Sequence, residues 1–116
     1  MKIVKLSDLE KTKVTMEGAQ GAFKQLPISK GDGSPAYAFR VFTIQPGGNT
    51  PYHTHGFEHI NYVIEGRAVI VNERGEETGI RKGDFILVHP NEKHQYKNTS
   101  ADADFVMICA VPNEYD

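Results

Sequence analysis

Hydrophobic and polar residues along this chain follow the pattern of short β-strands rather than the period of an α-helix. The clearest strand is residues 36–45, which are aromatic and β-branched and precede Pro46-Gly47-Gly48, where the strand is predicted to end. Each further predicted strand is bounded by glycine, proline or polar residues: 59–64, 67–72, 77–80, 85–89, 94–98 and 104–111.

The first third of the chain has a weaker pattern. Residues 17–35 carry many glycine and polar residues, which predicts a loop with one strand near 23–28. Residues 7–13 are the best helical candidate, with Ser7 as a cap. Many short strands separated by regular turns predict an all-β, antiparallel sandwich or barrel.

Composition narrows the possible partners and compartment. The net charge is −2 and no basic stripe is present, which argues against a nucleic-acid partner. No apolar stretch is long enough for a signal peptide or for a span of about 20 residues, which argues against a membrane partner. The single cysteine, Cys109, cannot form an internal disulfide, so we predict a cytoplasmic protein.

Four of the five histidines lie in two short clusters. On a strand, His53 and His55 would project to one face, and His59 would keep that parity, whereas Glu58 would point away. His94 could lie opposite them in a closed barrel. Imidazole is the commonest metal ligand in proteins, so these four histidines predict one divalent metal ion per chain, at about 2 Å from each ring nitrogen.

The alternative is that each histidine is a hydrogen-bonded core residue, which is the usual role of a single buried histidine. Packing of a hydrophobic core gives no reason to place three neutral imidazoles on one face, and this favours the metal site. The fifth histidine, His89, precedes Pro90 at a strand end and is predicted to lie outside the site.

Other residues are candidates for the pocket wall. Strand parity puts Asn61 and Tyr96 on the inner face, where they would orient a substrate or satisfy strand-end hydrogen bonds; the second role is favoured. Cys109 is predicted to act as a small buried hydrophobe, with a position beside the metal as the alternative. Five aromatic residues are predicted to lie in the core or the pocket wall: Phe39, Phe42, Phe57, Tyr62 and Phe85.

These residues resemble the two motifs of the cupin superfamily. The first motif matches Gly47, His53-Thr54-His55, His59 and Gly66, and the second matches Gly83-Asp84, Pro90, His94 and Asn98. The resemblance covers about residues 36–112 and leaves residues 1–35 as an N-terminal arm of one domain, 1–116. It implies a double-stranded β-helix, the cupin jelly-roll barrel, with the metal inside its mouth.

Two departures from the usual motifs look like a subgroup of small cupins with a four-histidine site. His59 occupies the usual glutamate position, with Glu58 just before it, and Pro90-Asn91-Glu92 replaces proline-x-glycine. Small cupins of this kind are often homodimers whose N-terminal strands pair, a role that Met1–Leu6 could serve. Four neutral ligands leave a divalent ion at its full charge, which favours anionic ligands. Manganese, iron, zinc, nickel and copper all remain open.

The resemblance predicts a metal-dependent cupin that binds a small organic molecule as ligand or substrate. An oxygenase or an isomerase is the enzymatic hypothesis. The motifs supply no obvious general base except Glu58, which mildly favours metal-centred redox chemistry. The alternative is a non-catalytic cupin that binds or senses a small ligand, because fold alone does not fix function.

Overall fold

The computed structural model describes all residues from Met1 to Asp116. Nine strands form one antiparallel sheet. They are β1 (Thr12–Lys13), β2 (Gln20–Ile28), β3 (Tyr37–Asn49), β4 (His59–Glu65), β5 (Arg67–Val71), β6 (Glu77–Arg81), β7 (Phe85–Val88), β8 (Gln95–Lys97) and β9 (Phe105–Pro112). The only helical elements are three single 3₁₀ turns, at Leu6–Asp8, Lys30–Asp32 and Asn113–Tyr115.

The sheet curls because β3 pairs with three other strands. It pairs with β2, with β9 along most of its length, and with β8 at Asn49. Strands β4 and β7 extend the sheet from β9, and β5 and β6 extend it from β8. The predicted all-β, antiparallel jelly-roll barrel is confirmed.

The prediction that β3 ends at Pro46-Gly47-Gly48 is wrong, because the strand bends there and continues to Asn49. Gly47 adopts a φ of 77°, which glycine tolerates without strain. A Cβ on Gly48 would lie 2.6 Å from the carbonyl oxygen of Gln20, so β2 can approach only because no side chain is present. The bend carries the chain from the wall of the barrel toward its mouth.

The best helical candidate, residues 7–13, does not form an α-helix. The 3₁₀ turn Leu6–Asp8 has no side-chain cap, and Thr12 and Lys13 join the sheet beside β2. Gln25 explains the turn, because its buried amide donates hydrogen bonds to the carbonyl oxygens of Leu6 and Leu9, at 2.9 and 3.0 Å. Strand β2 is longer than predicted, so much of the predicted N-terminal arm belongs to the sheet.

The main core lies between the two halves of the curled sheet. Its largest members are Ile44, Val63, Tyr96 and Phe105, all almost completely buried. These residues come from four strands, β3, β4, β8 and β9, so the core connects both halves of the barrel. No helix in the structure has the length and apolarity needed to cross a membrane.

Two aromatic residues predicted to lie in the core or the pocket wall are instead exposed, and a third, Tyr62, is half-buried on the same outer face. Phe85 is 77% exposed and Phe39 is 41% exposed. They belong to an outer apolar face of the sheet that also contains Ile60, Tyr62 and Leu87. Ile60 pairs with Leu87 on one side and with Ala110 on the other, and Ala110 pairs with Phe39. Strand parity was ambiguous here, because apolar residues occupy both faces of these strands.

Candidate metal centre

Three histidines converge at the mouth of the barrel. The candidate ligand nitrogens of His53, His55 and His94 all lie within 4.8 Å of one another. His53 and His94 form an isolated β-bridge: each backbone N–H donates to the other residue's carbonyl oxygen, at 3.2 and 3.1 Å. The backbone itself therefore brings together two candidate ligands that are far apart in sequence.

The strand assumed for the first histidine cluster is absent. His53 forms only the bridge to His94, and residues 54–58 are a loop before β4 begins at His59. A backbone hydrogen bond of 2.7 Å, from the Asn91 N–H to the His55 carbonyl oxygen, holds that loop against the other side of the mouth. His53 and His55 therefore lie close together as predicted, although they lie in a loop and not on the strand that was assumed.

The hydrogen bonds of His55 and His94 leave one nitrogen of each ring available to a metal. His55 Nδ1 lies 2.7 Å from the Phe57 carbonyl oxygen, and His94 Nδ1 lies 2.9 Å from that of Glu92. A carbonyl oxygen only accepts, so each Nδ1 carries the proton and each Nε2 keeps a lone pair. Such outer hydrogen bonds commonly fix the tautomer and orientation of metal-binding histidines.

His55 Nε2 provides the fit test for a metal. It is buried and has no hydrogen-bond partner anywhere in the structure. An unsatisfied buried polar atom typically costs about 1–3 kcal/mol, so such atoms are rare. A divalent ion shared with His53 and His94 would satisfy it. The histidines present therefore fit a metal ion.

His59 packs against this group but contacts a different partner. Its ring stacks on His55 with centroids 3.9 Å apart, and its Nε2 lies 3.2 Å from Nη2 of Arg40. A guanidinium only donates, so the His59 nitrogen accepts this hydrogen bond. His59 is not among the three histidines with clustered ligand nitrogens. Its role as a fourth ligand stays a prediction.

Burial favours the neutral form of three of these histidine rings, His53, His59 and His94. Burial, with smaller contributions from the neighbouring His55 and Arg40, lowers the pKa of His59 to about 2. Burial also lowers the pKa values of His53 and His94 below the usual 6.5. Neutral imidazoles can donate their lone pairs to a metal at neutral pH without first losing a proton.

Two predicted pocket residues, Tyr96 and Asn61, are buried and bonded to each other. The Tyr96 hydroxyl donates to Asn61 Oδ1 at 2.8 Å, and Asn61 Nδ2 donates to the Ile108 carbonyl oxygen at 3.4 Å. Burial, and to a lesser extent Cys109, raises the pKa of Tyr96, so its hydroxyl keeps its proton. Tyr96 also lines the cavity beside the histidines.

The remaining candidates have different surroundings. Cys109 is buried, lines the same cavity, and its Sγ lies 3.2 Å from Nη2 of Arg40. Asn98 holds the backbone together by donating to the carbonyl oxygens of Ile44 and Ala103. Glu58 makes no side-chain hydrogen bond or ion pair, and His89 is exposed.

The cavity beside the histidines has a volume of about 100 Å³. Its wall is largely apolar and includes Met16, Phe42 and Met107, and His53, His59 and His94 also line it. No carboxylate lines it. Arg40 also lines this cavity, although neither histidine motif includes it. The only signal in the sequence was a charged residue in the middle of an apolar strand, because buried residues of both parities flank it, such as Ala38 and Val41.

The fold and the histidine cluster together place this chain among antiparallel β-barrel proteins with a candidate metal centre. Within that class the chain belongs to the cupin family: residues 40–111 match the sequence model of the Cupin domain. The family predicted from the two motifs is thus confirmed. No curated protein matches the chain.

Solved structures with the same fold include several enzymes. The polyketide cyclase RemF from Streptomyces resistomycificus superposes with a TM-score of 0.91 at 27% identity, covering 97% of this chain and 79% of that one. A predicted oxalate decarboxylase from Thermotoga maritima gives 0.83 at 22% identity, covering 97% and 99%. A sugar phosphate isomerase from Silicibacter pomeroyi gives 0.80 at 16% identity, covering 96% and 75%. At such low identities the last two show the fold alone.

Proposed function

We propose that this chain is a metal-dependent enzyme that isomerises or cyclises a small carbonyl compound inside the barrel. The observation that carries the proposal is the buried, unpartnered His55 Nε2, which lies beside the nitrogens of His53 and His94. The similarity to a polyketide cyclase supports a reaction of this type.

The chain's own residues would divide the work. His53, His55 and His94 would hold the ion, with His59 as the predicted fourth ligand. A bound divalent metal would act as a Lewis acid that polarises a carbonyl oxygen. The apolar wall at Phe42 would exclude water from the substrate, which strengthens electrostatic interactions inside the cavity.

Tyr96 favours an isomerase or cyclase over an oxygenase. Its hydroxyl is fixed by the hydrogen bond to Asn61, so its oxygen can accept a hydrogen bond from a hydroxyl or enol group of the substrate. The motifs alone offered only Glu58 for proton chemistry, whereas the folded structure adds Tyr96, which lines the cavity together with three of the histidines. Proton movement within a bound substrate therefore has a fixed polar group to guide it.

Metal content provides the first test. Purified protein is loaded with zinc, manganese, iron, nickel or copper, dialysed, and analysed for its elements. We expect about one ion per chain in the wild type and strong loss in His55→Ala. His89→Ala is the matched control, because His89 is exposed and lies outside the cluster. Equal metal retention by all three proteins would contradict the proposal.

Turnover provides the second test. Metal-loaded protein is incubated with a panel of linear polyketones and small hydroxy ketones, while products are followed by mass spectrometry and dissolved oxygen by an electrode. Product formation without oxygen uptake supports the proposal. Oxygen uptake that depends on substrate would replace it with an oxygenase. Tight retention of a panel compound without product would indicate a binding protein instead.

A further inference from the structure

Arg40 places an unneutralised positive charge in the candidate active-site cavity. Its side chain lies on the inner face of β3, and it takes part in none of the ion pairs of the structure. No carboxylate lines the cavity. Its Nε atom is buried and has no hydrogen-bond partner. Arg40 as a whole is half-buried, but this buried N–H has no acceptor and no anion contacts the guanidinium, although buried charged atoms are normally paired.

The contacts that Arg40 does make are to neutral groups. Nη2 lies 3.2 Å from His59 Nε2 and 3.2 Å from Cys109 Sγ, and the guanidinium carbon lies 5.0 Å from the centre of the Phe42 ring. An imidazole, a thiol and an aromatic ring position the guanidinium without cancelling its charge. The guanidinium is thus held beside the candidate metal ligands.

Arg40 and a metal ion would compete for the same lone pair of His59. A ring nitrogen that binds a metal cannot also accept a hydrogen bond from Arg40. If His59 becomes the fourth ligand, Nη2 loses that acceptor while remaining in the cavity. Arg40 then has both Nε and Nη2 free to donate, and these are the two parallel donors that fit a carboxylate.

We propose that Arg40 binds an anionic oxygen group of the substrate, a carboxylate or an enolate, and so selects small anionic oxygen compounds. This inference rests on the proposed function, because the substrate must lie in the cavity beside the metal. It explains why a guanidinium is present on the inner wall of an otherwise apolar strand. It also assigns a role to a residue outside both histidine motifs.

The experiment compares three probes of similar shape: malonate, which carries carboxylates, acetylacetone, which binds metals as an enolate, and malonamide, which is neutral. Each is titrated into cobalt(II)-loaded protein, and binding is followed by visible absorption and by calorimetry. The variant is Arg40→Met. The control is Arg74→Met, which removes an equal charge from an exposed turn residue that does not line the cavity.

We expect Arg40→Met to weaken malonate binding about tenfold or more, the usual effect of losing a charge-assisted hydrogen bond, with malonamide binding unchanged. A comparable loss for acetylacetone alone would identify an enolate as the group recognised. Wild-type affinity of Arg40→Met for both anionic probes would overturn the inference. If Arg40→Met does not fold, Arg40→Gln replaces it under the same criteria.

Failure of the proposed function would be recognised separately. In that case the wild-type protein would not bind cobalt(II) at all. Calorimetry of malonate with metal-free wild type and Arg40→Met would then test Arg40 alone. Weaker binding by the variant would support an anion site at Arg40, whereas equal binding would overturn it.

Discussion

Replacing His55 with alanine should remove the stabilisation that a metal confers while leaving the metal-free protein almost as stable as before. In the metal-free protein, His55 contributes a hydrogen bond to Phe57 and a stacked ring, but it also buries an unsatisfied Nε2. The hydrogen bond is worth about 1 kcal/mol, and the buried orphan atom costs about 1–3 kcal/mol. The terms oppose each other, so the net change in the free energy of unfolding should lie within about 2 kcal/mol of zero.

The effect of metal binding should be larger than that difference. An ion present at about one hundred times its dissociation constant raises the free energy of unfolding by about 2.7 kcal/mol. For a chain of this length the entropy of unfolding makes each kcal/mol worth about 4 °C in the melting temperature. Wild-type protein should therefore melt about 10 °C higher with metal than with chelator.

The assay is differential scanning calorimetry of wild type, His55→Ala and the control His89→Ala, each with excess zinc and with chelator. Only His55→Ala should lose most of the zinc-dependent shift. The reasoning is refuted if His55→Ala keeps the full shift, or if it is strongly destabilised even in chelator. The second outcome would mean that Nε2 is satisfied in the metal-free protein.

Three further predictions concern other parts of the structure. Tyr96→Phe should lower the free energy of unfolding by about 1–3 kcal/mol in urea titrations, because it leaves the buried Asn61 Oδ1 without its donor; an unchanged midpoint would contradict this. Metal-free protein should lose stability as the pH falls below about 6.5. The buried histidines have pKa values lowered by folding, to about 2 at His59, so the unfolded chain binds more protons in that range. Equal urea midpoints at pH 7.5 and 5 would contradict it. We further propose that the predicted homodimer buries the outer apolar face in addition to pairing the Met1–Leu6 segments. Ile60 is 48% exposed at the centre of that face, so Ile60→Glu should convert dimers to monomers in sedimentation velocity, and a dimer that persists would contradict the use of this face. The control Thr78→Glu adds the same charge on an exposed strand and should stay dimeric.

The sequence predicted the strands and the histidine cluster well, because both depend on local signals. Glycine and proline mark the ends of most strands, and the spacing of His53, His55 and His59 is unusual in any other context. The fold then brings His94 opposite His53 as predicted. Direct ligation by these histidines stays a prediction.

The errors arose where tertiary contacts override local pattern. Strand β3 passes through Pro46-Gly47-Gly48 because Asn98, just after β8, exchanges backbone hydrogen bonds with Gly47 and Gly48, and Gln20 of β2 pairs with Asn49. The turn at Leu6–Asp8 is held by the side chain of Gln25, which no local pattern could reveal. The burial predicted for Phe85 was wrong because apolar residues occupy both faces of β7, so the sequence does not show which face is buried.

Arg40 was missed for a different reason. The two histidine motifs lie within residues 47–98, whereas Arg40 precedes them in the middle of a strongly apolar strand. A charged residue on the buried side of such a strand is informative by itself, because burying a charge is costly. Parity could not assign its face, because Val41 and Thr43 are buried as well as Ala38 and Ile44.

The reciprocal backbone hydrogen bonds between His53 and His94 have a consequence for metal exchange. In small zinc domains the ligands come together only when the ion binds, so losing the ion unravels the chain. Here the peptide groups keep two of the rings side by side without any ion. One metal ion can therefore dissociate and another bind while the protein stays folded. The metal that is bound then depends on which ions the cell supplies and how they compete, not on which ion was present during folding.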